Sequence, residues 1–187
     1  MSEALVLVGL SGSGKSTVAR LVAARLGVAH YDTDRLVEEQ AGETVAALFA
    51  ARGEATFRDL EEAAVADVCG RSGVVAVGGG AVLRSANRMR IRRGNLVVWL
   101  DTPPGVLASR LAHHAHGEER PLLRGNLEER VRSLWSERRA CYAAAAHLRV
   151  PHQHGGSSGS HATAQRVAAI FVAWRDGGRQ SATRGSV

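Results

Sequence analysis

Short, unbroken aliphatic runs recur along the chain. They are Leu5-Val6-Leu7-Val8, closed by Gly9, then Val74-Val75-Ala76-Val77, closed by Gly78, and Leu96-Val97-Val98-Trp99-Leu100. None alternates with polar residues, which is the pattern of strands buried on both faces, as in a parallel sheet. Two weaker runs, Val28–Tyr31 and His147–Val150, bring the predicted strands to five. Between them apolar residues return at helical spacing: Val18, Leu21, Val22 and Leu26; Phe57, Leu60, Ala64, Val65 and Val68; Val106 to Leu111; and Ala164 to Trp174. Strands that alternate with helices predict an α/β fold, a five-stranded parallel sheet flanked by helices. His113 to Gly125 interrupts the alternation with polar and basic residues, Gly117 and Pro121, and predicts a mobile lid at about residues 112–125. Pro151 to Ser160 reads as a second irregular stretch, and residues 176–187, without periodicity, as a disordered tail following one domain over residues 1–175.

The first strand leads into Gly9-Leu10-Ser11-Gly12-Ser13-Gly14-Lys15-Ser16, which fits G-x-x-x-x-G-K-[ST] between a strand and a helix, the context of a P-loop. Glycines let the backbone wrap phosphates with its N–H groups pointing inward. The helix start adds the positive end of its dipole, Lys15 reaches the β- and γ-phosphates, and the Ser16 hydroxyl suits Mg²⁺. The alternative is a plain glycine-rich strand-to-helix turn.

Composition sharpens this reading. Of 24 Lys and Arg residues, Lys15 is the one lysine. Where arginine serves everywhere else, that exception marks a site needing a compact ammonium on a flexible stem. The net charge of +6 favours anionic ligands, and nucleic acid is disfavoured because no recognition motif is present and Trp99, Trp135 and Trp174 lack interleaved basic residues. Two cysteines, Cys69 and Cys141, form no disulfide framework and read as partly buried apolar residues in a reducing compartment. The histidines of the two irregular stretches, His152 and His154 among them, read as solvated loop residues. Ala4 to Leu10 is too short to span a bilayer and no basic leader precedes it, so a cytoplasmic protein without membrane contact is expected.

A P-loop specifies ATP or GTP and leaves the acceptor open. Asp32-Thr33-Asp34 follows the second predicted strand, where two carboxylates two residues apart suit metal support and proton acceptance; alternatively Asp34 caps the next helix. Arg58 lies beside the apolar face of the Phe57–Val68 helix, either for ligand binding or as a surface pair with Glu61 or Glu62. Gly78-Gly79-Gly80 permits close approach to a ligand, or makes a turn.

Taken in order, the P-loop, Asp32 to Asp34, Gly53-Glu54 with Phe57-Arg58 and Glu61, Gly78 to Gly80, Arg120-Pro121-Leu122-Leu123 and Arg138 to Tyr142 resemble the shikimate kinase family over about residues 4–150. The resemblance implies a P-loop NTPase fold, a kinase domain with a lid, and transfer of the ATP γ-phosphoryl group to the 3-hydroxyl of shikimate. It implies Lys15, Asp34 and Arg120 as catalytic residues and Asp34, Arg58, Gly79, Gly80 and Arg138 as acceptor contacts. ATP contacts by Gly12, Ser13, Gly14, Lys15, Ser16, Thr17, Arg110 and Arg120, and Mg²⁺ held through Ser16 and Asp32, follow in the same way, as does a monomeric enzyme. Two segments depart from the family pattern: residues 151–160 are longer and differently composed, and Ala140-Cys141 replaces Pro-Leu before Tyr142. Adjacent Arg138 and Arg139 leave two registers open. A related kinase acting on another small polyol or cyclitol is the alternative.

Overall fold

The three strongest aliphatic runs form the middle of the sheet. β1 (Ala4–Val8), β3 (Gly73–Ala76) and β4 (Leu96–Asp101) are buried at every residue. β2 (His30–Asp32) and β5 (Leu148–Pro151) form the edges, giving five parallel strands in the order β2-β3-β1-β4-β5. The computed structural model describes residues 3–114, 126–152 and 156–184. The helices are α1 (Lys15–Leu26), α2 (Thr33–Ala41), α3 (Val45–Val68), α4 (Ser85–Arg92), α5 (Pro104–His114), α6 (Leu127–Ala145) and α7 (Gly156–Arg184).

Strand pleating sends alternate side chains to opposite faces. Val6, Val8, Val75, Val97 and Trp99 pack with α3, α4, α5 and α6 through Val65, Ile91, Leu107, Val131, Leu134 and Tyr142. Leu5, Leu7, Val74, Val98 and Leu100 pack instead with α1 and α7 through Val18, Val22, Val167 and Phe171. Covered faces explain why the central strands carry no polar alternation.

Several boundaries differ from the sequence expectation. Val28 belongs to the end of α1, because Gly27 turns left-handed (φ 64°) and the Val28 N–H donates to Ala23 O at 3.1 Å, so β2 starts only at His30. α3 extends upstream to Val45, broken at Gly53 (φ 76°, ψ 171°), a conformation that favours glycine. α7 begins at Gly156, inside the stretch read as irregular; Ser158 to Ala162 are exposed or half-buried and give no apolar period before Thr163. Its helical backbone runs on to Arg184, through part of the segment read as a tail. α5 continues through His114, and the rest of the expected lid lies outside the described residues.

α7 closes one face of the sheet, with the Phe171 ring fully buried and stacked 6.0 Å from Trp174. Phe171→Ala is expected to lower unfolding free energy by about 3–5 kcal/mol, measured from the urea midpoint.

Candidate active site

Parallel strands deliver their carboxyl ends to one edge of the sheet, and the candidate residues gather there. β1 leads into the P-loop. Gly9 lies against the end of β4, where an added methyl carbon would stand 2.7 Å from Leu100 O, so only glycine lets the loop turn this close. Gly12 and Gly14 take left-handed angles (φ 82° and 86°), the turns that aim consecutive N–H groups inward. Gly14 caps α1 without a side-chain hydrogen bond, and the first turn holds no acidic residue. By contrast α2, α3 and α6 are capped by Asp32, Thr44 and Asn126. The opening of α1 therefore offers N–H groups to an anion. Lys15 is buried, with its ammonium donating to Leu10 O at 3.1 Å, while Ser16 and Thr17 are exposed on the same turn. Arg110 of α5 reaches the loop from the other side, 3.5 Å from Gly12 O.

The acceptor side is built around Gly78, Gly79 and Gly80, which follow β3. Thr33 Oγ1 accepts from Gly78 N–H at 2.8 Å and ties the start of α2 to this turn. A methyl on Gly78 would collide with Asp34 Oδ1 and Glu61 Oε1, and one on Gly80 with the Arg58 guanidinium. A methyl on Gly79 would stand 3.0 Å from Ser11 N, in the P-loop itself. The carbonyl of Gly79 accepts from Tyr142 OH at 2.5 Å and from Arg138 Nη1 at 3.4 Å, both from α6. The three glycines are thus a floor against which phosphate loop, carboxylates and arginines converge.

Arg58 is held from several sides. Its Nη1 donates to Glu61 Oε2 at 2.7 Å, its Nε and Nη2 donate to Glu54 Oε1 at 3.2 and 2.9 Å, and Cζ lies 5.2 Å from the Phe57 ring centre and 5.9 Å from that of Phe49. Burial works against its charge, but Glu61 and Glu54 more than offset this and raise its proton affinity. Burial raises the Glu61 pKa, with Arg58 and Arg138 opposing the rise. Asp34 is half-buried; burial and the negative charges of Asp32, Glu61 and Glu38 push its carboxyl up to about 6 against the pull of Lys15.

The geometry separates several alternatives and corrects one expectation, that of a solvated His152. Asp34 does not cap α2; Asp32 does, with Oδ1 accepting from the N–H of Asp34 at 3.1 Å and of Arg35 at 3.5 Å. Arg58 is not a surface ion pair, since its side chain is 9% exposed. Arg138 faces Gly79, whereas Arg139 is exposed over the Trp135 ring at 5.1 Å, which separates the two registers. His152 is not solvated: it is 2% exposed, its Nδ1 is 2.8 Å from Thr163 Oγ1, and a methyl on Gly14 would stand 3.0 Å from its Nε2. Arg120 lies outside the described residues. Sequence reasoning missed Thr33 and Phe49 as parts of the site. The position of Thr33 between two aspartates is its only local signal, and Phe49 gives none until α3 bends.

A parallel sheet of this order, with a P-loop on its central strand and a cluster of arginines and carboxylates beside it, defines a nucleotide-binding protein of the P-loop NTPase fold. The chain belongs to the shikimate kinase family, whose model matches residues 11–170. It is 51% identical over 151 residues to the shikimate kinase of Symbiobacterium thermophilum, spanning 78% of this chain and 84% of that protein. The shikimate kinase of Rhodopirellula baltica is 42% identical over 80% of this chain and 82% of its own. Among solved structures, shikimate kinase from Acinetobacter baumannii in complex with shikimate superposes with a TM-score of 0.83 at 30% identity, covering 92% of this chain and 94% of that one.

The raised pKa of Asp34 affects stability. The folded chain holds this proton more tightly than the unfolded chain does, so the parent loses stability as pH rises from 3.8 to about 6 and stays at the lower level above that. Asp34→Asn removes the titration. It is expected to be more stable than the parent by up to about 3 kcal/mol at alkaline pH, with the advantage shrinking through pH 6 and lost in acid, read from urea unfolding across pH.

Proposed function

We propose that the chain transfers the γ-phosphoryl group of ATP to the 3-hydroxyl of shikimate, giving shikimate 3-phosphate and ADP. The observation that carries this reading is the close approach of Asp34, Glu61 and Arg58 to one three-glycine turn that also touches the P-loop. An acidic polyol needs such a surface: carboxylates for its hydroxyls and arginine forks for its carboxylate, next to a phosphate cradle.

In this reading the N–H groups at the start of α1 and the Lys15 ammonium hold the β- and γ-phosphates and stabilise the charge that develops on the transferring group. Arg58 and Arg138 grip the acceptor carboxylate. Asp34 accepts the proton of the attacking hydroxyl as its oxygen bonds to phosphorus and the bond to ADP breaks. Tyr142 and Arg138 fix Gly79, and Thr33 fixes Gly78, so the floor is rigid before ligands arrive. The exposed Ser16 hydroxyl, in the first turn of α1, and the Asp32 carboxylate, at the end of β2, are oxygen donors of the kind Mg²⁺ takes. When bound, Mg²⁺ neutralises phosphate charge there. Arg120 and the lid are proposed to close over ATP and exclude water.

An ADP-release assay tests the reading. Shikimate is expected to be turned over and its methyl ester poorly, because the ester removes the anion that the arginines bind. Equal use of both compounds overturns the carboxylate contact. Arg58→Ala is expected to raise the shikimate KM at least tenfold, in line with a loss of about 2–5 kcal/mol for a desolvated charge contact. Lys15→Arg is expected to lose about 10²-fold in kcat, because a planar fork does not fit the buried position of a compact ammonium. Activity at saturating shikimate is expected to rise with pH through about 6 as Asp34 ionises, and to lose that rise in Asp34→Asn.

A further inference from the structure

Arg58 carries two carboxylates of very different standing. The Glu61 side chain is 1% exposed and cannot leave, whereas that of Glu54 is 48% exposed. Ordinary i,i+4 pairs on this protein expose both partners, as in Arg71–Asp67 (48% and 52%) and Arg132–Glu128 (64% and 60%). Arg58–Glu54 is different, because a 9% exposed guanidinium meets a carboxylate that stands half in water.

The contact is also geometrically poor for its donors. Nε and Nη2 form the edge of an arginine that gives two parallel hydrogen bonds to the two oxygens of a carboxylate. Glu54 takes both donors on the single oxygen Oε1, at 3.2 and 2.9 Å. A carboxylate that offers both oxygens makes the better pair. Glu54 also begins the half of α3 that follows the break at Gly53, so the preceding turn does not hold it in place.

We infer that Glu54 is an exchangeable counter-carboxylate of Arg58, which the carboxylate of the incoming acceptor displaces into water. This inference rests on the proposed role of Arg58 as the carboxylate contact. Glu61 keeps the desolvated guanidinium paired throughout, so Glu54 can be given up without leaving Arg58 uncompensated. The exchange lowers apparent affinity, because only the fraction of sites released by Glu54 takes the ligand. It also adds specificity: a neutral ring has nothing with which to displace Glu54, and an acidic one does.

The test is calorimetric titration of the full chain with shikimate, compared across the parent, Glu54→Gln, Arg58→Ala and Asp59→Asn. Asp59 is an exposed neighbouring carboxylate paired with Arg84 rather than Arg58, and it reports the effect of removing charge alone. Glu54→Gln is expected to bind shikimate about three- to tenfold more tightly. The ATP KM and inhibition by the methyl ester should change less than about twofold in this variant. Unchanged or weaker binding overturns the exchange, as does an equal gain in Asp59→Asn. If Arg58→Ala binds shikimate as well as the parent, the carboxylate contact itself fails; if it loses affinity while Glu54→Gln gains none, only the exchange is lost. A crystal structure of the parent with shikimate gives a second readout. Glu54 Oε1 is expected beyond about 4 Å from Arg58 Nε, and its persistence at hydrogen-bond distance overturns the inference.

Discussion

Everything at the site depends on the central strands being parallel and buried on both faces. β1, β3 and β4 keep no residue for water, so helices must cover each face, and the connections between strands must cross the sheet. A parallel sheet then presents the carboxyl ends of all its strands along one edge. The P-loop after β1, Asp32 at the end of β2 and the glycine turn after β3 meet because the register sets Leu7 and Asp32 on either side of Ala76.

Close approach is the second constraint. Gly9, Gly78, Gly79 and Gly80 each stand where a methyl group would meet backbone or a charged side chain. Missing side chains there let charged groups come within reach of one small ligand. The charges themselves are arranged so that each buried one has a partner: Arg58 has Glu61, and Asp34 lies in the field of Lys15. Glu61 Oε1 is nevertheless buried without a hydrogen-bond partner among the described residues, and Asp34 keeps a raised pKa against the pull of Lys15; both face Gly78. An unsatisfied carboxylate oxygen on this surface suits a ligand that carries hydroxyl groups.

The helices contribute differently to stability and to chemistry. α1 and α7 bury an apolar face under Leu5, Leu7 and Val98. α3 and α6 also pack on the sheet, but they turn one edge of that packing toward the floor, where Phe57, Arg58, Glu61, Arg138 and Tyr142 are all buried. The candidate acceptor-side residues therefore stand on helices fixed by core contacts, a more rigid mounting than a loop provides.

What is written in consecutive residues was readable directly. The P-loop, the aliphatic strands and the triple glycine each carry their physical reason within a few positions, because the backbone geometry they need is local. Tertiary structure decided what depends on which neighbour comes close. Arg138 and Arg139 are equivalent as sequence, and only the packing of α6 turns one toward Gly79 and the other over Trp135. Asp32 takes the cap and leaves Asp34 for the site because β2 ends one residue before α2 begins. His152 looked like a polar loop residue, yet Thr163 of α7 draws it into the interior beside Gly14. Polar residues at solvent-facing helix starts give no periodic signal, so α7 begins before its apolar pattern does. Local sequence selects a backbone conformation, whereas burial and partner choice are properties of two segments at once, set only when the sheet and its helices close together.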